Sequence, residues 1–249
     1  IKPDFFEAYN NLGSIYKELD QLDDAINCYE NAITINPNYI ESYFNVSIIL
    51  SKIGRIEEAI NSFEKLPMVK LEYIEGYSDL GIKLLELGQF NNAVRCYKKI
   101  LCIKPDYSDA HNNIGVAYKE LGQLDKAIKS YKKALIIKPD FAEAHNNLGN
   151  IYKVLNQLDS AKNHYEKAIA IKPDYAEAQN TLGVLMMELG QLTCAIQCYE
   201  KAIAINPFYT AAHHNLSNVK KYTLNDNHIS QMKSLINSSG LNKLDYIGL

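Results

Sequence analysis

The sequence has no long apolar run, no block of like charges and no paired-cysteine motif. No stretch approaches the roughly eighteen consecutive apolar residues that a membrane-spanning helix needs. The net charge is −3 and no run of five like charges occurs, so neither a nucleic-acid footprint nor a membrane anchor is indicated. The five cysteines form an odd set without CxxC spacing, which argues against a disulfide framework and predicts a reducing, cytoplasmic compartment.

Motifs for catalysis are also missing. The sequence contains no glycine-rich phosphate loop, no nucleophile elbow and no HExxH pair. The composition nevertheless predicts a folded protein, because 47% hydrophobic and 22% charged residues are ordinary for a globular domain. We therefore expect a chain that is not itself an enzyme and that needs no cofactor and no metal.

Prolines recur along the chain with a period of 34 residues. They stand at Pro3, Pro37, Pro105, Pro139, Pro173 and Pro207, and the single interval of 68 residues is two periods. Leu71 takes the missing position, four residues after Pro67. A period of this length predicts a repeat architecture.

Alignment on this period places small and aromatic residues in fixed columns. Each unit has a small residue after a leucine, as in Leu12-Gly13, an alanine twelve residues later, as at Ala25, and an aromatic residue four further on, as at Tyr29. Between the two apolar stripes a turn residue recurs, at Asp20, Gly54, Gly88, Gly122, Asn156 and Gly190. Spacings of three and four predict helices, and these turn residues tolerate a left-handed backbone.

Helix starts are predicted directly after the prolines. Asp106 to Asp109 and Asp140 to Glu143 have the spacing of a capping box, in which the first side chain caps the helix. Each unit is therefore expected to consist of a helix, a tight turn, a second helix and a proline stop.

These columns resemble the tetratricopeptide repeat. The resemblance implies an all-α fold, a right-handed superhelical solenoid of antiparallel helix hairpins. We expect residues 1–5 to be the end of a truncated preceding repeat, 6–209 to form six units, and 210–249 to form a seventh first helix plus a C-terminal capping helix. The chain is then an excised piece of a longer protein.

Two segments depart from the pattern. Pro67 falls inside an expected helix, so the junction from Pro67 to Leu71 is either a local adjustment of packing or a bend of the solenoid. The C-terminal segment lacks the repeat columns but keeps a helical stripe at Ile229, Met232, Leu235 and Ile236. The run from Lys221 to Met232 resembles the segment that follows the repeats in bacterial proteins joining tetratricopeptide repeats to a sulfotransferase domain.

In this fold the first helix of each hairpin lines the concave groove, and asparagine recurs on its inward face. Asparagine offers both a donor and an acceptor, which matches the edge of a peptide unit. A similar ladder is familiar from the repeat arm of O-linked N-acetylglucosamine transferases, which these repeats resemble and which holds extended polypeptide. The predicted peptide-binding residues are Asn11, Asn45, Asp79, Asn112, Asn113, Asn146, Asn147, Asn180, Asn215, Lys119 and Lys153.

Alternatives remain open at this point. The asparagines could instead bond neighbouring helices or water, and the exposed ends of the solenoid could associate with other copies of the chain to form a homo-oligomer. His111, His145 and His213 lie at least one repeat apart in a column that also holds Tyr9 and Tyr43, so we interpret them as packing residues rather than metal ligands.

Overall fold

The computed structural model of the chain describes residues 5–64, 73–221 and 227–237. All regular secondary structure within these ranges is α-helical. The chain divides into two compact units, Ile1–Ile137 and Lys138–Leu249.

The first unit consists of helices joined in pairs by tight turns. Its helices are α1 (Phe6–Glu18), α2 (Leu22–Ile35), α3 (Ile40–Lys52), α4 (Ile56–Glu64), α5 (Tyr73–Glu86), α6 (Phe90–Ile103), α7 (Ser108–Glu120) and α8 (Leu124–Ile137). The two helices of a pair pack along each other, and α2 and α6 also contact the first helix of the following pair. This arrangement buries apolar side chains on both faces of a hairpin.

The second unit repeats the same arrangement. Its helices are α9 (Ala142–Val154), α10 (Leu158–Ile171), α11 (Ala176–Glu188), α12 (Leu192–Ile205), α13 (Thr210–Val219) and α14 (Asn227–Asn237). The expected fold class, an all-α solenoid of antiparallel hairpins, is confirmed. Helices α13 and α14 fall where a seventh first helix and a capping helix are expected, and the division of the chain at 5, 209 and 249 stays a prediction.

The turn column is confirmed by the backbone. Asp20 and Asn156 have φ values of 58° and 57°, and four glycines have φ values from 70° to 83°. After such a turn residue the next amide bonds back into the first helix, as Gln123 N does to Tyr118 O at 2.8 Å. Only glycine, asparagine and aspartate adopt this backbone at low cost, which explains the column.

The predicted capping boxes are wrong. Helices α7, α9 and α11 begin one residue later than expected, with Tyr107, Phe141 and Tyr175 at the N-cap and no side-chain capping bond. The Pro-Asp pair lies within a turn, closed by the bond from Tyr107 N to Lys104 O at 3.2 Å. Asp106 therefore precedes the N-cap residue and cannot serve as the cap.

The closest contact inside a hairpin joins a glycine of the first helix to a tyrosine of the second. A Cβ atom built on Gly115 would meet the ring of Tyr131 at 2.5 Å, and the four equivalent glycines would meet their tyrosines at 2.6 to 2.7 Å. Atoms do not approach so closely, so any side chain there would push the two helices apart. The tyrosines of this column are at most 2% exposed; they are Tyr29, Tyr97, Tyr131, Tyr165 and Tyr199.

The hydroxyl groups of these tyrosines have unequal surroundings. The Tyr165 hydroxyl donates to Asn150 Oδ1 at 2.8 Å, and the Tyr29 hydroxyl lies 3.1 Å from Ser14 Oγ. Tyr131 has Val116 at the corresponding position, and its hydroxyl has no hydrogen-bond partner among the described residues. Burial raises the pKa of Tyr131, so the group stays protonated near neutral pH.

The irregular junction predicted from Pro67 to Leu71 lies outside the described residues, and so do Ile1 to Asp4 and the segment from residue 238 to the end. Near the C-terminus, the His228 side chain of α14 is 4% exposed and lies 2.7 Å from the His213 ring of α13. This contact attaches α14 to the preceding helix.

We expect Tyr165→Phe to destabilise the protein and Tyr131→Phe to leave its stability unchanged or raise it. The first change removes a hydrogen bond that contributes about 1 kcal/mol, whereas the second removes a buried hydroxyl without a partner. Urea unfolding followed by circular dichroism measures both. Equal destabilisation by the two changes would contradict the difference in their surroundings.

Candidate peptide-binding groove

The first helices of the hairpins form one face of each unit. In the first unit α3 contacts α5 and α5 contacts α7, and in the second unit α9 contacts α11 and α11 contacts α13. Two columns of polar side chains run along these helices. The inner column is Asn10, Asn112, Asn146 and Asn180, and the outer column is Asn11, Asn45, Asp79, Asn113, Asn147, Thr181 and Asn215.

The inner column joins successive first helices. Asn10 is 1% exposed; its amide donates to Glu41 Oε1 at 3.1 Å, and its Oδ1 accepts from Ser42 Oγ at 3.0 Å and from Asn45 Nδ2 at 3.2 Å. Asn10 thus connects α1 to α3 through three side chains. Both acceptor sites of its side-chain oxygen are used within the protein.

The same pattern recurs in the second unit. Asn146 is fully buried; its amide donates to Glu177 Oε1 at 3.0 Å, and its Oδ1 accepts from Thr181 Oγ1 at 2.8 Å. Asn180 accepts from Asn215 Nδ2 at 2.9 Å. The spacings of 31 and 35 residues between partners place each bond across one hairpin boundary.

Tyrosines complete two of these networks. The Tyr39 hydroxyl donates to Glu41 Oε2 at 2.7 Å, and the Tyr175 hydroxyl lies 3.4 Å from Glu177 Oε2. Burial, and then the bond to Glu41, raise the pKa of Tyr39 to about 12. Glu41 and Glu177 are therefore held in place by hydroxyl and amide donors at the edge of the face.

The outer column is more open to solvent than the inner one. Asn11 and Asp79 are exposed, and Asn113, Asn147 and Asn215 are half-buried. Asn45 is the exception, because it is buried and bonds Asn10. Although Asp79 is exposed, partial desolvation of its carboxyl group, and then the nearby charge of Glu75, raise the pKa of Asp79.

Of the predicted set, the structure thus places Asn45, Asn112, Asn146 and Asn180 in buried positions. Asn112 donates to Asn113 Oδ1 at 3.3 Å. The exposed edges of the outer column are the ones that could meet an external peptide.

The two predicted lysines are paired with carboxylates. Lys119 Nζ lies 3.0 Å from Glu120 Oε1, and Lys153 Nζ lies 3.1 Å from Glu188 Oε1. Both lysines are half-buried, and the pairs are exposed enough for solvent to weaken them. The two lysines offset the negative charge of their glutamate partners and do not form a strongly basic surface.

Sequence reasoning missed the partners of the histidine column. His145 Nδ1 lies 2.9 Å from His164 Nδ1, and His213 Nδ1 lies 2.7 Å from His228 Nε2. The intervals of 19 and 15 residues differ, so periodicity does not detect them. Burial lowers the pKa of His145, and Lys167 lowers it further.

No group of three or more histidine, cysteine, aspartate or glutamate side chains is arranged for metal binding in the part of the chain that the structure describes. Over the same residues no helix has both the length and the apolar composition that crossing a bilayer requires.

Comparison with known proteins gives a consistent family. Models described as tetratricopeptide repeat match residues 6–39, 28–61, 142–175 and 176–209, and a model described as TPR repeat matches residues 81–122 and 116–155. The crystal structure of MamA protein is 30% identical over 66% of this chain and 91% of that one, with a TM-score of 0.51. The chain belongs to the tetratricopeptide-repeat family.

Two more solved tetratricopeptide-repeat structures share the fold. A thermophilic protein of Thermus thermophilus, TTC0263, is 21% identical over 86% of this chain and 98% of that chain, with a TM-score of 0.52. The Cut9 and Hcn1 hetero-tetramer of APC/C contains a chain that is 18% identical, with 88% of this chain and 44% of that chain covered and a TM-score of 0.57. No curated protein matches the chain. Members of this family are typically scaffolds for protein interactions rather than catalysts.

We expect Asn146→Ala to destabilise the second unit by about 1 to 3 kcal/mol, because Glu177 and Thr181 lose a buried partner. Asn163→Ala is the matched control, since Asn163 is exposed on α10 and its loss should change stability by less than about 0.5 kcal/mol. Unfolding midpoints of the two variants measure the difference. An unchanged midpoint for Asn146→Ala would exclude the inner column as a structural link.

Proposed function

We propose that this tetratricopeptide-repeat chain holds an extended polypeptide against the outer column of its first helices. The proposal is supported by a difference between the two columns in hydrogen bonding and in exposure to solvent. The inner amides Asn10, Asn146 and Asn180 join helices. Asn11, Asn113, Asn147 and Asn215 keep part of their surface open to solvent, although Asn215 also donates to Asn180. An amide with an open edge can donate to and accept from a peptide main chain.

The repeat spacing suits main-chain recognition within each unit. Adjacent packed helices lie about 8 to 10 Å apart, and an extended peptide rises about 3.3 Å per residue. One outer side chain would then meet roughly every third peptide residue. Because main-chain groups are the same in every residue, the identity of the bound side chains would matter little.

The expected affinity is modest. Each net hydrogen bond contributes about 0.5 to 1.5 kcal/mol, and ordering a flexible peptide costs about 2 to 5 kcal/mol. Four such bonds leave at most about 4 kcal/mol, which corresponds to a dissociation constant of about 1 mM or weaker. A scaffold of this kind binds and releases its partner readily.

The proposal also concerns the larger protein to which the chain would belong. On this account it is the cytoplasmic, non-catalytic arm of a larger protein whose catalytic domain is a sulfotransferase or glycosyltransferase, and it binds neither nucleic acid nor membrane. The support is the resemblance of the repeats to the glycosyltransferase arm and of the segment from Lys221 to Met232 to sulfotransferase proteins. Of that segment, residues 222–226 lie outside the described part of the chain.

We expect unrelated nine-residue peptides without secondary structure to bind with dissociation constants within about threefold of one another. Peptides of the same sequences with N-methylated main-chain amides should bind at least about tenfold more weakly, because they lose the donors that the outer amides accept from. Isothermal titration calorimetry measures both series.

Protein variants complete this test. Asn113→Ala and Asn147→Ala should each weaken every peptide, and Asn163→Ala should weaken none. Binding that depends on peptide sequence and is insensitive to N-methylation would contradict main-chain recognition.

A second candidate function is self-assembly through hairpin ends. Ile15 is 53% exposed, whereas Ile49 and Ile151, at the same position of other repeats, are 1% and 0% exposed. The first hairpin thus presents an apolar side chain of a kind that two other hairpins bury.

If this surface drives assembly, sedimentation velocity should show mass rising with concentration, and Ile15→Gln should abolish the rise. Val154→Gln should not, although Val154 is 69% exposed. A single mass at all concentrations would exclude this second function and leave the first untouched.

A further inference from the structure

Each histidine of the repeat column has a space beside it, and in the second unit an aromatic ring fills that space. His145 is hydrogen-bonded to the ring of His164, which also stacks on Tyr152 with centroids 5.4 Å apart. His213 is hydrogen-bonded in the same way to His228 of α14, with ring centroids 4.9 Å apart. An imidazole therefore occupies the equivalent space in both cases.

His111, in the first unit, has no such ring beside it. The residue at the position of His164 is Ser130, whose hydroxyl donates to Lys126 O at 2.9 Å within its own helix. Two adjoining hollows open there between α6, α7 and α8, with volumes of about 200 and 440 Å³. Both are lined by Leu101, His111 and Lys133, and together we call them the His111 pocket.

A backbone carbonyl determines which ring nitrogen of His111 carries the proton. His111 Nε2 lies 3.1 Å from Pro105 O, just as His145 Nε2 lies 3.2 Å from Pro139 O and His213 Nε2 lies 2.9 Å from Pro207 O. A carbonyl only accepts, so Nε2 donates and Nδ1 of the neutral ring is an acceptor. Burial lowers the pKa of His111, which keeps the ring neutral at pH 7.

The rings of His164 and His228 show what kind of group binds to an Nδ1 acceptor of this column. His164 and His228 must each donate a ring N–H to the Nδ1 atom of their partner, because that atom carries no proton. No described residue is hydrogen-bonded to Nδ1 of His111. The His111 pocket thus lacks the ring donor that its two counterparts have.

The wall of the His111 pocket is apolar and its rim is basic. Leu101, Ile114 and Ile136 contribute apolar surface, and Ile136 is 80% exposed. The rim carries Lys98, Lys129 and Lys133, which are exposed and take part in no ion pair among the described residues. In the next repeat, lysines also stand at the positions of Lys98 and Lys133, and asparagine stands at the position of Lys129, so Lys129 is the rim lysine that distinguishes this hairpin from the next.

We propose that the His111 pocket binds an aromatic side chain bearing a hydrogen-bond donor, presented by an acidic segment of a partner polypeptide. The aromatic ring takes the place that His164 and His228 occupy in the other repeats, and its N–H or O–H donates to His111 Nδ1. Carboxylates on either side of it meet the three rim lysines. This surface lies between α6, α7 and α8, away from the outer column, so it goes beyond the proposed groove function.

Other ligand classes fit less well. The high exposure of Ile136 shows an open hollow, which could not enclose most of the surface of a free small molecule. A nucleic acid would need an exposed aromatic face for stacking, but Lys126 Nζ lies over the Tyr118 ring at 5.5 Å. An aromatic anchor on a polypeptide needs only one side chain to be buried.

The absence of tryptophan from the chain gives a direct probe. A capped pentapeptide with a central tryptophan flanked by two acidic residues on each side should show a blue-shifted, saturable fluorescence change. The same peptide with 1-methyltryptophan, which lacks the indole N–H, should bind at least about fivefold more weakly, and a peptide with lysines in place of the acids should not bind.

Two substitutions of Ser130 test whether the peptide binds in the His111 pocket. Ser130→His should close the pocket by reproducing the pair of His145 and His164, and so should abolish binding while preserving or raising the unfolding midpoint. Ser130→Ala leaves the hollow open and should preserve binding. The combined change of Lys98, Lys129 and Lys133 to Gln should weaken binding about tenfold, whereas Lys167→Gln should have no effect.

The proposal is overturned if Ser130→His folds and binds the peptide as well as the unchanged protein, or if the methylated and unmethylated peptides bind equally. It is also overturned if the acidic peptide fails to bind. Stronger binding of a single-stranded RNA oligonucleotide, lost in the lysine variant, would assign the basic rim to nucleic acid instead.

Discussion

The contact between a glycine of the first helix and a tyrosine ring of the second is the constraint on which the structure depends. It fixes how closely the two helices of a hairpin approach, because no side chain fits between them. The same tyrosines are fully or almost fully buried, and Tyr29, Tyr97, Tyr165 and Tyr199 belong to clusters that include residues of the next hairpin, as Tyr29 does with Val46 and Ile49. A tyrosine ring of this kind therefore fixes the separation of the two helices in its hairpin and also packs against the next hairpin.

The inner amide column adds a polar link at three junctions, through Asn10, Asn146 and Asn180. Asn10 and Asn146 bond carboxylate and hydroxyl groups of the following first helix, so successive first helices are held in register. This register sets the distance between consecutive outer amides within a unit. A binding surface that reads main chain at regular intervals depends on that distance, which links packing to the proposed function.

Much of the architecture could be predicted from the sequence, because the packing constraints recur every 34 residues. The turn residues at Asp20 and Asn156 were predicted from their chemistry and have the expected positive φ. The helix starts were misplaced by one residue at Asp106, because the proline turn extends through that aspartate before the helix begins. Periodicity alone does not show where a turn ends.

The candidate site was harder to predict. Sequence spacing places Asn146 and Asn147 side by side on a helix but does not reveal that Asn146 is fully buried and bonded across a hairpin boundary. Nor does it reveal that His164 fills the space beside His145 while Ser130 leaves a hollow beside His111. These features depend on pairs of residues at irregular intervals, which only the folded chain brings together.

The most direct test of the central claim follows the side-chain amides by NMR. On saturation with an extended peptide, the Nδ2–H resonances of Asn11, Asn113, Asn147 and Asn215 should shift, while those of Asn10 and Asn146 should stay in place. Saturable binding that leaves all four outer amides unshifted would contradict the account.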